Sequence, residues 1–272
     1  MAVQLAIQED MLTGRTMTEK FEHAKSLGIP GVEFWGRDLS RKMDAIAEAI
    51  ERTGVKAASV NHGRQGRFLD PNPLERERAL EELRDSIMCA ADLGAAGVIF
   101  VPAFFDALLP DLSPYMSAVE LEAELLNSHL RTLEDYANAM KVTLYVEPIN
   151  RYETHFLNRL DQAAAIARKR SHPRVKIVAD VFHMALAETD LPTAIRAHGD
   201  VIGHVHLADH NRRLPGQGFT PFEQIAAALN EIGYTGWAAF ECGDPSNNAV
   251  NAEAYQRDLP ACLEYLRRSG VI

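Results

Sequence analysis

The sequence predicts a (β/α)8 barrel, and three observations carry that prediction. Short apolar runs, often β-branched, alternate eight times with longer stretches of helical periodicity. The 272 residues suit a fold that usually takes ~250. No linker rich in Pro, Gly or Ser interrupts the alternation, so one domain spanning 1–272 is expected. A doubly wound open sheet is the competing architecture. It usually needs fewer units and a glycine-rich first turn, and LAIQEDMLTG supplies none.

The elements follow in order. VQLAI (3–7) leads to a helix near 17–27, GVEFW (31–35) to one near 41–53, and VKAASV (55–60) to one near 74–93. GVIFV (97–101) passes through a Pro-containing loop to a helix near 119–139. In that helix Leu121, Leu125, Leu126, Leu133 and Tyr136 recur close to a 3.6-residue period, as one buried stripe requires. VTLYVE (142–147) precedes a helix near 158–169, and VKIVAD (175–180) precedes helical turns through 183–198. VIGHVHL (201–207) precedes a helix near 221–232, and GWAAFE (236–241) precedes the last, near 251–268. The long excursions 61–73, 102–118 and 208–220 each follow a strand, which puts them on the face where such barrels carry their sites or their oligomer contacts.

Composition narrows the function. The net charge of −10 argues against a nucleic-acid surface, which needs a basic footprint. Cys89, Cys242 and Cys262 are too few and too scattered for a disulfide framework or a cysteine-rich metal motif. The opening MAVQLAIQED lacks a signal-peptide pattern, and no apolar run reaches the ~18 residues of a membrane span, so a cytoplasmic protein with no membrane partner is expected.

The chemistry is written at the strand ends. Glu147 closes strand five, Asp180 strand six and Glu241 strand eight, while His206 sits near the end of strand seven. In a barrel all four face one rim. A single acid at a strand end is commonly a helix cap or a solvated turn; four ligand-type residues on consecutive strands are not. Three converging carboxylates repel unless a cation joins them. The three oxygens and one nitrogen suit one hard divalent ion, with Mn²⁺, Mg²⁺ and Co²⁺ as candidates. His204, two residues before His206, shares its face one layer deeper and suits a supporting role. Glu153, His183 and Arg212 lie just beyond strand ends and could meet a ligand, with Arg213 as a rival to Arg212. Trp35 is either a wall for a sugar ring or a core aromatic, and His62 and His155 are further candidates for the pocket wall. His23, His129, His172 and His198 fall on or near helices and suit surface or packing roles. LPGQGFTPF shapes a loop and lacks the basic, glycine-rich grip of a P-loop.

EPINRYETHFLN (147–158), ADVFHM (179–184), HVHLADHNRRLPGQG (204–218) and GYTGWAAFE (233–241), with ligand gaps of 33, 26 and 35 residues, resemble the sugar isomerase/epimerase superfamily of xylose-isomerase-like barrels over nearly the whole chain. Within it the resemblance is closest to the ketose 3-epimerases that act on tagatose, psicose or ribulose. The resemblance implies that Glu147 and Glu241 are metal ligands and also the acid–base pair, and that Asp180 and His206 complete the metal shell. It implies that Glu153, His183 and Arg212 contact substrate near its C1 and C2 oxygens. Mn²⁺ is then the expected ion and a homo-oligomer, dimer or tetramer, the expected assembly. The expected reaction is C3 epimerisation of a free ketose through an enediolate.

Two segments depart from the pattern. Such epimerases commonly carry an aromatic residue after strand one, where this chain has IQEDM. They follow the last glutamate with proline and a hydrophobic residue, where this chain has ECGDPSNN (241–248). The walls that judge the substrate are therefore open. An aldose–ketose or hydroxypyruvate-type isomerase, or a lyase or isomerase acting on a keto-sugar, inosose or oxidised glycoside, is the alternative. A barrel endonuclease would need more histidine ligands and a basic face.

Overall fold

The computed structural model describes residues 3–244 and 249–272. Eight parallel strands close in sequence order: β1 (Gln4–Gln8), β2 (Gly31–Trp35), β3 (Lys56–Asn61), β4 (Gly97–Phe100), β5 (Thr143–Val146), β6 (Val175–Asp180), β7 (Ile202–Leu207) and β8 (Trp237–Phe240). Each lies within one residue of its predicted ends. The helices outside are α1 (Met17–Ser26), α2 (Met43–Thr53), α3 (Pro73–Asp92), α4 (Ala118–Ala139), α5 (Leu160–Arg170), α6 (Val181–Ala185), α7 (Leu191–His198), α8 (Phe222–Glu231) and α9 (Ala252–Arg268).

Local chemistry explains where the helices begin. Thr16 with Glu19, and Ser117 with Glu120, form reciprocal capping boxes at α1 and α4. Asn72 caps α3, with Pro73 at its first position, where the missing N–H costs nothing. The turns expected through 183–198 are two helices rather than one. Asp180 caps the first, Asp190 caps the second, and Pro192 sits where an initiating helix tolerates it. The expected stripe on α4 is only partly buried: Leu126 and Leu133 are in the core, while Leu125 and Tyr136 pack at its edge.

The main core lies between the sheet and the helices. Two smaller clusters, Ala6–Ala58–Trp237–Ala239 and Ile99–Tyr145–Val178, occupy the opposite face of the strands, the barrel interior. Trp237 and Tyr145 fit there because glycines face them. A Cβ on Gly31 would lie 2.4 Å from the Trp237 ring, and one on Gly97 would lie 2.3 Å from Tyr145. Above these rings the interior turns polar. Parallel register sets Gln8 beside Glu33, Glu33 beside Ser59, and Asp180 beside His206. No helix among the described residues is long and apolar enough to cross a membrane.

Candidate active site and metal centre

The backbone ladder delivers the ligand-type residues to one rim. The Glu147 N–H donates to the Phe100 carbonyl at 3.0 Å, and the Glu241 N–H to the Leu207 carbonyl at 3.3 Å, so both glutamates extend the sheet by one residue. Asp180 ends β6 and also caps α6, its Oδ1 accepting from the His183 N–H at 2.8 Å, which leaves Oδ2 to face inward. One oxygen from each carboxylate then surrounds His206 Nδ1: Glu147 Oε1 at 2.9 Å, Glu241 Oε2 at 3.3 Å and Asp180 Oδ2 at 3.4 Å. The four donor atoms lie within 4.8 Å of one another, and all four residues are buried. Three carboxylates so placed need positive charge among them, and an O₃N set at this spacing fits a divalent ion. The four residues that the sequence singled out are thus brought together in one cluster.

A deeper layer orients the imidazole. His206 Nε2 lies 3.2 Å from Glu33 Oε1, so that nitrogen donates and Nδ1 is left facing the carboxylates. Glu33 is fully buried in β2. Its other oxygen accepts from Ser59 Oγ at 2.6 Å and lies 3.0 Å from His204 Nε2, off the angle of a good hydrogen bond. Burial raises the Glu33 carboxyl, but His206 and His204 outweigh it and hold it well below the usual range. His206 shows the converse: burial opposes its charge, while Glu241, Glu33 and Glu147 raise it well above an ordinary histidine. Sequence reasoning placed His204 in this layer and missed Glu33.

The two rim glutamates differ in proton affinity. Burial pushes Glu147 up to about 7, helped by Glu241 and Asp180 and opposed by His206. Glu241 is equally buried, yet His206 and Arg212 more than cancel that and hold it below the carboxylate range. Glu241 Oε1 also accepts from Gln8 Nε2 at 3.0 Å and Asn61 Nδ2 at 3.2 Å, which fix its orientation.

Glu147 and Glu241 open onto a cavity of about 190 Å³ that is also lined by Trp35, Arg64, Glu153, His183 and Arg212. His183 Nδ1 accepts from the Asn150 side chain at 2.8 Å and its backbone N–H at 3.2 Å, which puts the proton on Nε2; Arg212 Nη1, 3.4 Å from that nitrogen, is then a neighbouring donor and not a hydrogen-bond partner. Burial, reinforced by Arg212, lowers His183 and keeps it neutral despite Asp180. Arg212 reaches the Glu241 carboxylate at 3.4 Å and packs over the Phe182 ring, whereas Arg213 is exposed. The loop puts Arg212 at φ +62°, a region L-residues seldom adopt. Asp209 holds that loop, its carboxylate accepting from Thr220 Oγ1 at 2.7 Å and the Gly216 N–H at 3.1 Å. Trp35 is a wall, pinned by Nε1 donating to Asp10 Oδ2 at 2.9 Å.

Two expected wall residues fall elsewhere. His62 is buried against Ser86 and Phe68 and does not line this cavity. His155 is drawn away by Glu122 at 2.6 Å and lines a neighbouring cavity instead. Gln8, Asn61, Arg64 and Asp209 were missed with Glu33. Gln8 and Asn61 carried the available signal, a polar residue at a strand end. In the last segment, Pro245 to Asn248 of ECGDPSNN lie outside the described residues.

A family model described as xylose isomerase-like TIM barrel matches residues 21–266. Among curated proteins, 3-dehydro-D-guloside 4-epimerase of Escherichia coli is 28% identical over 241 residues, covering 88% of this chain and 92% of that protein. D-psicose 3-epimerase of Enterocloster bolteae is 35% identical over 153 residues, 51% of each chain. Among solved structures, 3-keto-D-glucoside 4-epimerase of E. coli superposes with a TM-score of 0.86 at 26% identity, over 98% of this chain and 99% of the other. D-psicose 3-epimerase of Clostridium cellulolyticum superposes at 0.84 and 22% identity, over 99% and 100%, a likeness of fold.

Proposed function

The chain belongs to the xylose isomerase-like TIM-barrel family, and from that premise we propose that it inverts a hydroxyl-bearing carbon beside the ketone of a sugar. The first reading is C3 of a free ketose such as tagatose, psicose or ribulose. One observation carries the reading: Glu147 and Glu241, from strands three apart in the barrel, share one ligand cluster and both line the same cavity. A carbon next to a carbonyl loses its proton to one carboxylate and regains one from the other, and general acid–base catalysis needs such a matched pair.

Glu147, Asp180, His206 and Glu241 would hold one divalent ion, with Mn²⁺ as our assignment. Such an ion would supply Lewis-acid polarisation of the carbonyl and stabilise the enediolate. The chain's own groups do the rest. The ionised one of Glu147 and Glu241 takes the proton, and the protonated one returns a proton to the opposite face of the same carbon. The configuration of the substrate decides which acts first. His183 donates Nε2–H to a substrate oxygen, Arg212 offers its guanidinium to another, and Glu153 accepts from a hydroxyl.

A second reading, inversion at C4 of a 3-keto-glycoside, is favoured by the alignment that reaches 92% of the 3-dehydro-D-guloside 4-epimerase, against 51% of the psicose epimerase. The test is incubation of the Mn²⁺-loaded protein in D₂O with free ketoses from erythrulose to fructose and with 3-keto-glycosides, read by NMR. Deuterium on the carbon beside the ketone, with the epimer accumulating, is expected. Deuterium at C1 with an aldose appearing would make the protein an isomerase, and loss of a leaving group would make it a lyase.

A further inference from the structure

Beside the 190 Å³ cavity lies a second, of about 430 Å³, and the two share Arg64 and Phe104 as a common wall. Sites for small molecules usually span about 300–1,000 Å³, so the first cavity alone is small for such a site, while the pair falls within the range. The second cavity is walled by Phe68, Leu69, Phe104, Phe105 and Leu108. Most of its charged groups are already paired among the described residues, Asp106 excepted. Asp70 pairs with Arg67 at 2.9 Å, and Glu122 pairs with His155, whose other nitrogen contacts the Phe105 carbonyl at 2.7 Å.

The walls are built rather than accidental. The Phe105 N–H donates to the Glu153 carbonyl at 2.7 Å and the His155 N–H to the Phe105 carbonyl at 3.0 Å, a short parallel bridge joining the loop after β4 to the loop after β5. Glu153 in turn ion-pairs with Arg64, and the Arg64 guanidinium stacks 5.0 Å from the Phe104 ring centre. The bridge therefore connects the rim of the catalytic cavity to the floor of its neighbour. Phe105 and Leu108 remain 66% and 48% exposed, with the Arg64 guanidinium 5.9 Å from the Phe105 ring centre.

The geometry points to a substrate in two parts: a keto-sugar ring in the first cavity, and an aglycone with an aromatic or apolar face in the second. This inference rests on the second epimerase reading above, inversion beside the ketone of a 3-keto-glycoside, and names the aglycone class. A free ketose fills only the first cavity. A second sugar would find Asp70, Glu122 and His155 already paired and only Asp106 unpaired among the acids of this lining, whereas an aryl group would cover the exposed Phe105 ring and take its apolar surface out of water.

The experiment compares kcat/KM for epimerisation by the Mn²⁺-loaded protein on 3-keto-glucose, its methyl glycoside, its phenyl glycoside and a 3-keto-disaccharide. The phenyl glycoside is expected to exceed free 3-keto-glucose at least tenfold, with the methyl glycoside and the disaccharide close to the free sugar. Leu108→Asp, on an exposed loop, and Ala103→Trp, which fills the second cavity, should each bring the phenyl-to-free ratio toward one. A ratio near one in the native protein, a disaccharide preferred to the phenyl glycoside, or a ratio that survives both substitutions overturns the proposal. Epimerisation of free sugars without aglycone preference removes this inference and leaves the epimerase reading standing. No epimerisation of any of the four removes this inference together with the 3-keto-glycoside reading, and leaves the free-ketose reading to the D₂O experiment above.

Discussion

Glu33 has no exposed surface, and both oxygens of its carboxylate are engaged by Gln8, Ser59 and His206. It decides which nitrogen of His206 faces the three acids, so its effect passes through the ligand and not through substrate. Glu33→Gln would remove the charge and leave one acceptor oxygen for the donors Gln8, Ser59 and His206. Outer partners of metal ligands are typically worth 10–100-fold in affinity, and a loss of that size is expected for Mn²⁺ by calorimetric titration, with the fold intact by circular dichroism. His62 supports a prediction of another kind. Burial lowers it from 6.5 to about 4, and its Nε2 has no partner. Above pH 6.5 residue 62 is neutral in both folded and unfolded chains, and its contribution to stability is complete. As pH falls from 6.5 to 4, the unfolded chain takes up a proton that the folded one refuses, so stability declines by up to roughly 3 kcal/mol. Urea unfolding of His62→Gln at pH 7 and 4.5 should show a smaller drop between the two than the native chain. An equal drop would mean that residue 62 is not the source. At this scale Glu147, Asp180, His206 and Glu241 were legible because a charged side chain at an apolar strand end stands out. Glu33 was hidden inside GVEFW, where nothing in the string says that the side chain points into the barrel. Arg64 and Asp209 were hidden in loops whose shape comes from contacts across the chain.

The strands owe their places to small residues as much as to large ones. Tyr145 fits inside the barrel between Gly97 of β4 and Gly203 of β7, where added Cβ atoms would lie 2.3 Å and 2.6 Å from its ring. Gly97 would also bring its Cβ 2.4 Å from the Thr143 carbonyl, which is backbone and cannot rotate away. Overpacking of this kind costs about 1–3 kcal/mol, so Gly97→Ala should lower Tm by several degrees, and an unchanged melting temperature would mean that the barrel floor is looser than described. Each strand was readable from its apolar run, and the helices from the helical stretches between the runs, as with the leucines of α4. The break between α6 and α7 was written in Asp190 and Pro192, a cap followed by an initiating proline. The loops were less readable. The parallel bridge of Phe105 with Thr154 joins segments about fifty residues apart, and no local pattern announces it.

For the molecule as a whole, closure of eight strands makes a list of strand-end residues into a site. The register that sets Asp180 beside His206 also sets Gln8 beside Glu33, so polar groups from both halves of the chain meet at one rim. The barrel was fully legible from the alternation. The half of the site on β5 to β8 was legible too, while the supporting half on β1 to β3 follows the same rule and needed the closed barrel to show its relevance. The central claim concerns the whole rim: Glu147 and Glu241 work on opposite faces of one carbon. Its most direct test is the early label pattern when the native, Mn²⁺-loaded protein epimerises its best keto-sugar in D₂O. Two opposed acids predict that the new epimer carries deuterium at the inverted carbon while the remaining substrate still carries hydrogen. Deuterium entering recovered substrate as fast as product, or product keeping the substrate's own hydrogen, would mean that a single group handles both faces and would contradict the account.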